Sequence, residues 1–368
     1  MNYKDYLENI INNIKLPDEH IKKAAEKRQA ELAKPPGSLG RLEEYACEIA
    51  AIQHCEHPTA EKPCVLVFAA DNGVIAEGVS SAPQSVTLSQ SINMTRKITG
   101  MSSMAGYFND GIIVTDVGIN SKTVGGDVRD RKIRRGTNNI KTAPAMTIDE
   151  FYRAAAVGIE TVKEAHDAGY DIVGIGEMGI CNTTTSTAVL CALTGLDCRE
   201  ITGRGGGLID EAYENKKNVI ASALALHKND ICDVPHTVSA LGGFDIAAMC
   251  GAFIGCAYYN IPAVVDGFIS IVAALCAAKM VPAVRAYLFL SHISEEPGYL
   301  KAAEIIGKKP CLDLNMRLGE GSGCVIMFRV LQAACASHNL MGTFEEAEIN
   351  DDYLEEIRAD EKSYSRGQ

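Results

Sequence analysis

Glu320 stands between two glycines, Gly319 and Gly321, in the stretch LNMRLGEGSG, and an apolar helical run, CVIMFRVLQAACA, follows at once. Glycines let the backbone approach a ligand closely and adopt dihedrals closed to other residues. The start of a helix adds free N–H groups and the positive end of a dipole. A carboxylate on such a turn is placed to touch a bound molecule and to serve as a general base; a glycine-rich turn with an exposed Glu has the same pattern. A second carboxylate, Glu177, lies in GIGEMGICNTTTSTAV (174–189), which reads as strand, glycine turn and helix, with Asn182, Thr183 and Thr184 as capping groups. That helix start favours a phosphate or carboxylate, so Glu177 would repel the ligand unless it meets a ribose hydroxyl or a developing cation. A third segment, TGRGGGLIDEAYENKK (202–217), has four glycines within five residues. Leu208 stands where a dinucleotide fingerprint needs glycine, and the Gly-Lys-Ser/Thr of a P-loop is missing. Two readings remain: a phosphate cradle of bare N–H groups, with Lys216 or Lys217 neutralising charge, or a flexible loop. Ser291 and His292 are neighbours expected to point different ways on a strand, Gly321-Ser322-Gly323 lacks nucleophile-elbow spacing, and Cys181 shows no partner base.

These groups need elements to hold them. From Cys64 onward the runs CVLVFAA, GIIVTDVG, YDIVGIG, IPAVVDG and RAYLFLS alternate with helix-length amphipathic segments. Short, near-continuous apolar strands of this kind indicate a parallel sheet covered on both faces. The runs lead into Asp71-Asn72-Gly73, Asp116, Glu177, Asp266-Gly267 and Ser291-His292, and ligands of open α/β sheets bind at the carboxyl ends of the strands. The segment ADNGVIAEGVSSAPQSVTLSQ (70–90) is too rich in Gly, Ser and Pro for a regular element and reads as a binding loop. Its Val79 and Leu88 either floor a pocket for a flat aromatic group or pack the loop down. Expected helices include TTTSTAVLCALTG, KKNVIASALALH, TVSALGGFDIAAMCGAFIGCAYY and the run after Glu320. Residues 1–60 read as helical, with Leu42, Tyr45, Ile49 and Ile52 at helical spacing after KPPGSLG. From about Gly342 the chain turns acidic and polar, which suggests a short amphipathic helix and a frayed end.

Composition narrows the function classes. The chain has 368 residues, 47% of them hydrophobic, enough for one large domain with an accessory part. Its formal charge is −12, and no dense Lys/Arg run occurs, which argues against nucleic acid or an anionic membrane as partner. Thirteen cysteines are spread from Cys47 to Cys335 without C-x-x-C spacing, and Met1–Asn13 has no secretory apolar core. Reduced thiols in a cytoplasmic protein are the expectation. His54–His57 (HCEH) has no second ligand group nearby, so no metal is expected. The longest apolar stretches are too short to span a bilayer.

Taken together, KPPGSLGRLE, DNGVIAEGVSSAPQSVT, GIGEMGICNTTTSTA, GRGGGLIDEAYENKK, LGGFDIAAMCG, VVDGFIS, SHISEEPG and LNMRLGEGSG, in this order across roughly residues 34–335, resemble the nicotinate-nucleotide:dimethylbenzimidazole phosphoribosyltransferase family. The resemblance implies an α/β fold with a Rossmann-like parallel sheet of about six strands flanked by helices, and a small helical domain built from both chain ends. Residues 1–60 with 338–368 would form the small domain and 61–337 the catalytic one. It implies transfer of the phosphoribosyl group of nicotinate mononucleotide to 5,6-dimethylbenzimidazole or a related aromatic base, by a homodimer that uses no cofactor and no metal. By the same resemblance Glu320 is the base that deprotonates the acceptor, and Glu177 meets the ribose or an oxocarbenium-like transition state. Gly176, Gly203, Gly205, Lys216 and Ser294 match positions around the nucleotide, and Ser80, Leu88 and Met178 match the acceptor pocket. The family often carries glutamine where Leu88 stands, and its GRGTG-like loop reads GRGGG here. The segment after Asn93 departs as well. A more apolar acceptor wall would suit phenol or p-cresol, the acceptors of two-chain relatives. A non-catalytic nucleotide-binding paralogue is the alternative of a different class.

Overall fold

Eight apolar residues in a row, Pro63–Ala70 (β1), are all buried. Side chains alternate across a strand, so a strand buried at every position is covered on both faces. The structure, a computed structural model, describes residues 2–122 and 125–354. β1 is a central member of a sheet with β2 (Gly111–Gly118), β3 (Arg129–Asp130), β4 (Ile172–Met178), β5 (Ala263–Val265) and β6 (Leu288–Leu290). Their spatial order is β3-β2-β1-β4-β5-β6, and every neighbouring pair is parallel. The order reverses between β1 and β4, so connections leave in opposite directions there and open a crevice at the carboxyl ends. The five apolar runs all lie in this sheet. The sixth strand, β3, is two exposed residues long and carries no apolar signature. A separate parallel pair joins β7 (His292–Ser294) to β8 (Leu312–Met316).

Helices flank the sheet. Phe244–Tyr258, buried from Phe244 to Ala257, packs on β1, β2 and β4 and on the helix Ile148–Asp167. The two helices touch at backbone distance: a Cβ at Gly158 would lie 1.9 Å from the Ala248 carbonyl oxygen, and one at Gly251 would lie 2.0 Å from that of Ala155. Ile148–Asp167 opens with a reciprocal Thr147/Glu150 capping box. The run TVSALGGFDIAAMCGAFIGCAYY is two helices, Val234–Leu241 and Phe244–Tyr258, separated at Gly242-Gly243. The segment 70–90 is not wholly irregular: a short 3-10 helix, Gly73–Glu77, and an α-helix, Ser85–Thr95, take up much of it. Among the described residues no helix is long and apolar enough to cross a membrane.

The chain divides into two compact units. One comprises the chain up to Lys15 with Lys62–Met327, and the other Leu16–Glu61 with the chain from Phe328. The helix Tyr3–Asn12, grouped by sequence with those after it, packs instead on Ile148–Asp167 through a face that buries Leu7 and Ile10. In the second unit, helices Glu19–Glu31 and Arg41–Gln53 pack around Ala25, Cys47 and Ala50. Here the KPPGSLGRLE segment is a structural clasp. Buried Lys34 donates to the Gln29 carbonyl at 3.1 Å and pairs with Glu43 at 2.9 Å, while Glu43 accepts the Leu39 N–H. Arg28 donates to the carbonyls of His338 and Asn339 near the end of the helix Ser322–Leu340. From Gly342 to Leu354 the polar tail holds turns and the short 3-10 helix Asp352–Leu354 in place of an α-helix; the expected frayed end lies outside the described residues.

Candidate active site

The crevice at the carboxyl ends contains a cavity of about 940 Å³, part of it open to solvent. Its lining draws on the loop after β1 (Val79–Ala82), the end of β4, the loop before and the body of the helix Asp210–Leu226, the turn after β5, the β7 segment and the turn that carries Glu320. All of these belong to the first unit.

The Glu320 turn is fixed from behind. Asp266, directly after β5, accepts the Gly321 N–H at 3.0 Å and the Gly323 N–H at 2.7 Å, which satisfies amides at the start of the helix Ser322–Leu340. Gly176 in β4 does not line the cavity. A Cβ there would sit 2.5 Å from the Gly321 nitrogen, so its bareness lets the turn lie against the strand. Glu320 itself takes φ of 64°, uncommon for a residue with a side chain. The residue is 6% exposed: its Oε1 accepts from Gln90 at 3.1 Å, and its Oε2 is buried without a hydrogen-bond partner. Burial raises its pKa above the usual glutamate value, and the hydrogen bond from Gln90 opposes the rise.

Glu177 lies within β4, one residue before its end. Cys181, in the left-handed region, precedes the helix Asn182–Thr194, which has no side-chain cap. The capping roles expected of Asn182, Thr183 and Thr184 are not taken up. Instead the Asn182 amide bridges two carboxylates, donating to Glu177 and, at 3.2 Å, to Asp245, and the Thr183 hydroxyl accepts from Lys216. Burial first, then the charge of Asp245, pushes the Glu177 carboxyl up to about 8; the Asn182 hydrogen bond pulls the other way. Burial likewise pushes Asp245 up to about 6, against hydrogen bonds from Ile246 and Asn182.

The glycine loop closes a third side. Lys216 is fully buried, its Nζ donating to Thr183 Oγ1 at 2.8 Å and to the Gly203 carbonyl at 2.9 Å. Burial lowers its pKa, and Glu296 opposes that. Gly205 (φ 55°) and Ser294 line the cavity beside it, whereas Gly203 contributes through its carbonyl. Met178 and Ser80 also line the cavity, with the Ser80 hydroxyl tied to the Ala82 carbonyl at 2.9 Å. Leu88 is half-buried on the helix Ser85–Thr95, outside the lining; two residues on, Gln90 reaches Glu320.

Sequence reasoning missed Gln90, Asp245 and Glu296, and it misjudged Ser291 and His292. Strand β6 stops at Leu290, so alternation fails, and Ser291 Oγ lies 3.0 Å from His292 Nδ1. The serine hydroxyl is buried and donates to the Asp266 carbonyl at 3.0 Å, so Nδ1 must be the donor in the pair and no activated serine results. Asp245 and Glu296 had a signal in the segments LGGFDIAAMCG and SHISEEPG, but nothing in either showed which way the carboxylate would face.

Residues 14–349 match the model of a family described as phosphoribosyltransferase. The nicotinate-nucleotide–dimethylbenzimidazole phosphoribosyltransferase of Clostridium perfringens is 46% identical over 97% of this chain and 99% of its own. The enzyme of that name from Clostridium tetani is 41% identical over 96% of this chain and 98% of its own. Among solved structures, CobT from Thermus thermophilus superposes with a TM-score of 0.86 at 36% identity, covering 90% of this chain and 99% of that one. A strand order that reverses at the crevice, a buried carboxylate on a glycine turn and a lysine-backed glycine loop thus come with a match along nearly the whole sequence: the chain belongs to this phosphoribosyltransferase family.

Proposed function

We propose that this enzyme transfers the phosphoribosyl group of nicotinate mononucleotide to 5,6-dimethylbenzimidazole, giving the α-ribotide and nicotinate, as in activation of the lower ligand of cobalamin. One observation carries the proposal. The Glu320 carboxylate is buried at the cavity and keeps one oxygen, Oε2, without a partner. An acceptor's ring N–H supplies the donor that this oxygen lacks. As a ring nitrogen attacks C1′, the bond from C1′ to the pyridinium nitrogen breaks and its electron pair returns to nicotinate, while the acceptor's proton passes to Glu320. The leaving ring departs uncharged at nitrogen, so it needs position more than an acid. Attack from the face opposite the leaving group inverts the anomeric carbon. Glu177, neutral near pH 7 with its pKa at about 8, donates to a ribose hydroxyl. Gly203, Gly205, Lys216 and Ser294 receive the phosphate, with Gly176 seating the Glu320 turn against β4. Ser80 and Met178 flank the acceptor ring.

Leu88 lies outside the cavity lining, so the substitution that pointed towards phenolic acceptors does not touch the pocket wall, and this supports an azole acceptor. The protein is proposed to work as a cytoplasmic homodimer without metal or cofactor. The purified protein, given nicotinate mononucleotide with dimethylbenzimidazole, adenine, phenol or p-cresol in turn, should release nicotinate and form the benzimidazole ribotide, read by mass spectrometry. Turnover of phenols alone would reassign the acceptor, and no turnover with any of them would leave a nucleotide-binding paralogue.

A further inference from the structure

The glycine loop assigned above to the phosphate already holds an anion. Glu296, just beyond β7, is only 9% exposed and lines the cavity. Its Oε1 accepts the Gly205 N–H at 2.9 Å. Its Oε2 is buried and has no hydrogen-bond partner. A Cβ at Gly203 would lie 1.9 Å from that same oxygen, so the carboxylate rests on the bare α-carbon of the loop. Lys216 spends two of its three N–H donors on Thr183 and the Gly203 carbonyl, and its charge is stabilised by Glu296. An amide, a bare glycine and an ammonium that suit a phosphate are thus turned to a side chain of the protein itself. Two anions in contact repel strongly in a partly desolvated pocket, so a phosphate and this carboxylate do not share the loop.

We propose that Glu296 is a resident competitor. Its carboxylate holds the phosphate place in the ligand-free protein and leaves the loop when the nucleotide enters. The inference rests on the phosphate placement proposed above. Leaving forfeits one hydrogen bond, to Gly205, because the second oxygen has none to lose. The phosphate replaces that bond and engages the remaining Lys216 proton. The device discriminates: a nucleoside without phosphate offers nothing to take over the loop, whereas a phosphorylated one does.

Calorimetric titration of the wild-type protein, Glu296→Gln and Glu296→Ala with inorganic phosphate and with nicotinate mononucleotide tests this. Removing the internal charge should tighten both ligands by about tenfold. Damage to the fold weakens binding, so a gain cannot arise from it. Unchanged or weaker phosphate binding by both variants overturns the proposal. A crystal structure of the wild-type protein soaked in inorganic phosphate should show Glu296 released from Gly205; phosphate bound elsewhere with that bond intact also overturns it. If phosphate occupies the loop but nicotinate mononucleotide is never turned over, the proposed reaction falls and the competitor stands. If turnover is seen and phosphate avoids the loop, the reverse holds.

Discussion

At the scale of single residues, protonation decides the chemistry. In the proposed reaction Glu320 serves as a base only when ionised, and burial lifts its pKa above the ordinary 4.5. Activity should therefore climb with pH on the acid side at values higher than an exposed glutamate would give. Glu177 is lifted to about 8, first by burial and then by Asp245, and the donor role proposed for it requires the protonated form. The pH profile of kcat/KM should thus fall again near 8, and Glu177→Gln, which cannot ionise, should remove that alkaline limb; a rise through 8 in the wild type would mean that the ionised form is the active one. Stability follows the same proton. The folded state holds it more tightly than the unfolded one, so its contribution is complete below about 4.5 and is lost as pH rises through about 8. Glu177→Gln should accordingly raise the melting temperature more at pH 9 than at pH 5. Replacing Glu320 with Gln should cut kcat by on the order of 10²–10⁴-fold while nucleotide binding, read by titration, stays close to wild type.

At the scale of elements, Asp266 ties a strand end to a helix start through two amides. An asparagine there keeps one acceptor oxygen and turns an N–H towards the other amide. Asp266→Asn should cost roughly 1–3 kcal/mol of stability and lower kcat as the Glu320 turn loosens, measured by thermal melting and turnover; an unchanged melting temperature would refute the tie. Elements were also where the sequence was most legible. Apolar runs such as CVLVFAA became buried parallel strands because their pattern and the burial of both sheet faces are the same fact. β3 escaped notice because two exposed residues, Arg129 and Asp130, carry no pattern. The helix Ser85–Thr95 was hidden behind serines and a proline that read as loop. Glu320 and Glu177 were visible from their glycine settings. Their partners Gln90 and Asp245 were not, since contacts across 230 and 63 positions of sequence, from Gln90 to Glu320 and from Asn182 to Asp245, leave no local periodicity. Leu88 was singled out by the family resemblance, but the helix Ser85–Thr95 turns Gln90, two residues on, towards Glu320.

At the scale of the molecule, several large apolar side chains remain exposed in the first unit, including Tyr107, Leu314 and Leu318. Such groups mark association surfaces when they cluster, and a homodimer should show twice the chain mass of 39.4 kDa by light scattering; a monomer at micromolar concentration would remove that part of the proposal. The strand order has a further effect. Because it reverses at the β1–β4 seam, the cavity gathers groups from Val79 to Glu320. A ribosome must release the last of these before the first has anything to work with. A chain that stops short of Glu320, though it contains every strand of the six-stranded sheet, lacks the carboxylate proposed as the base.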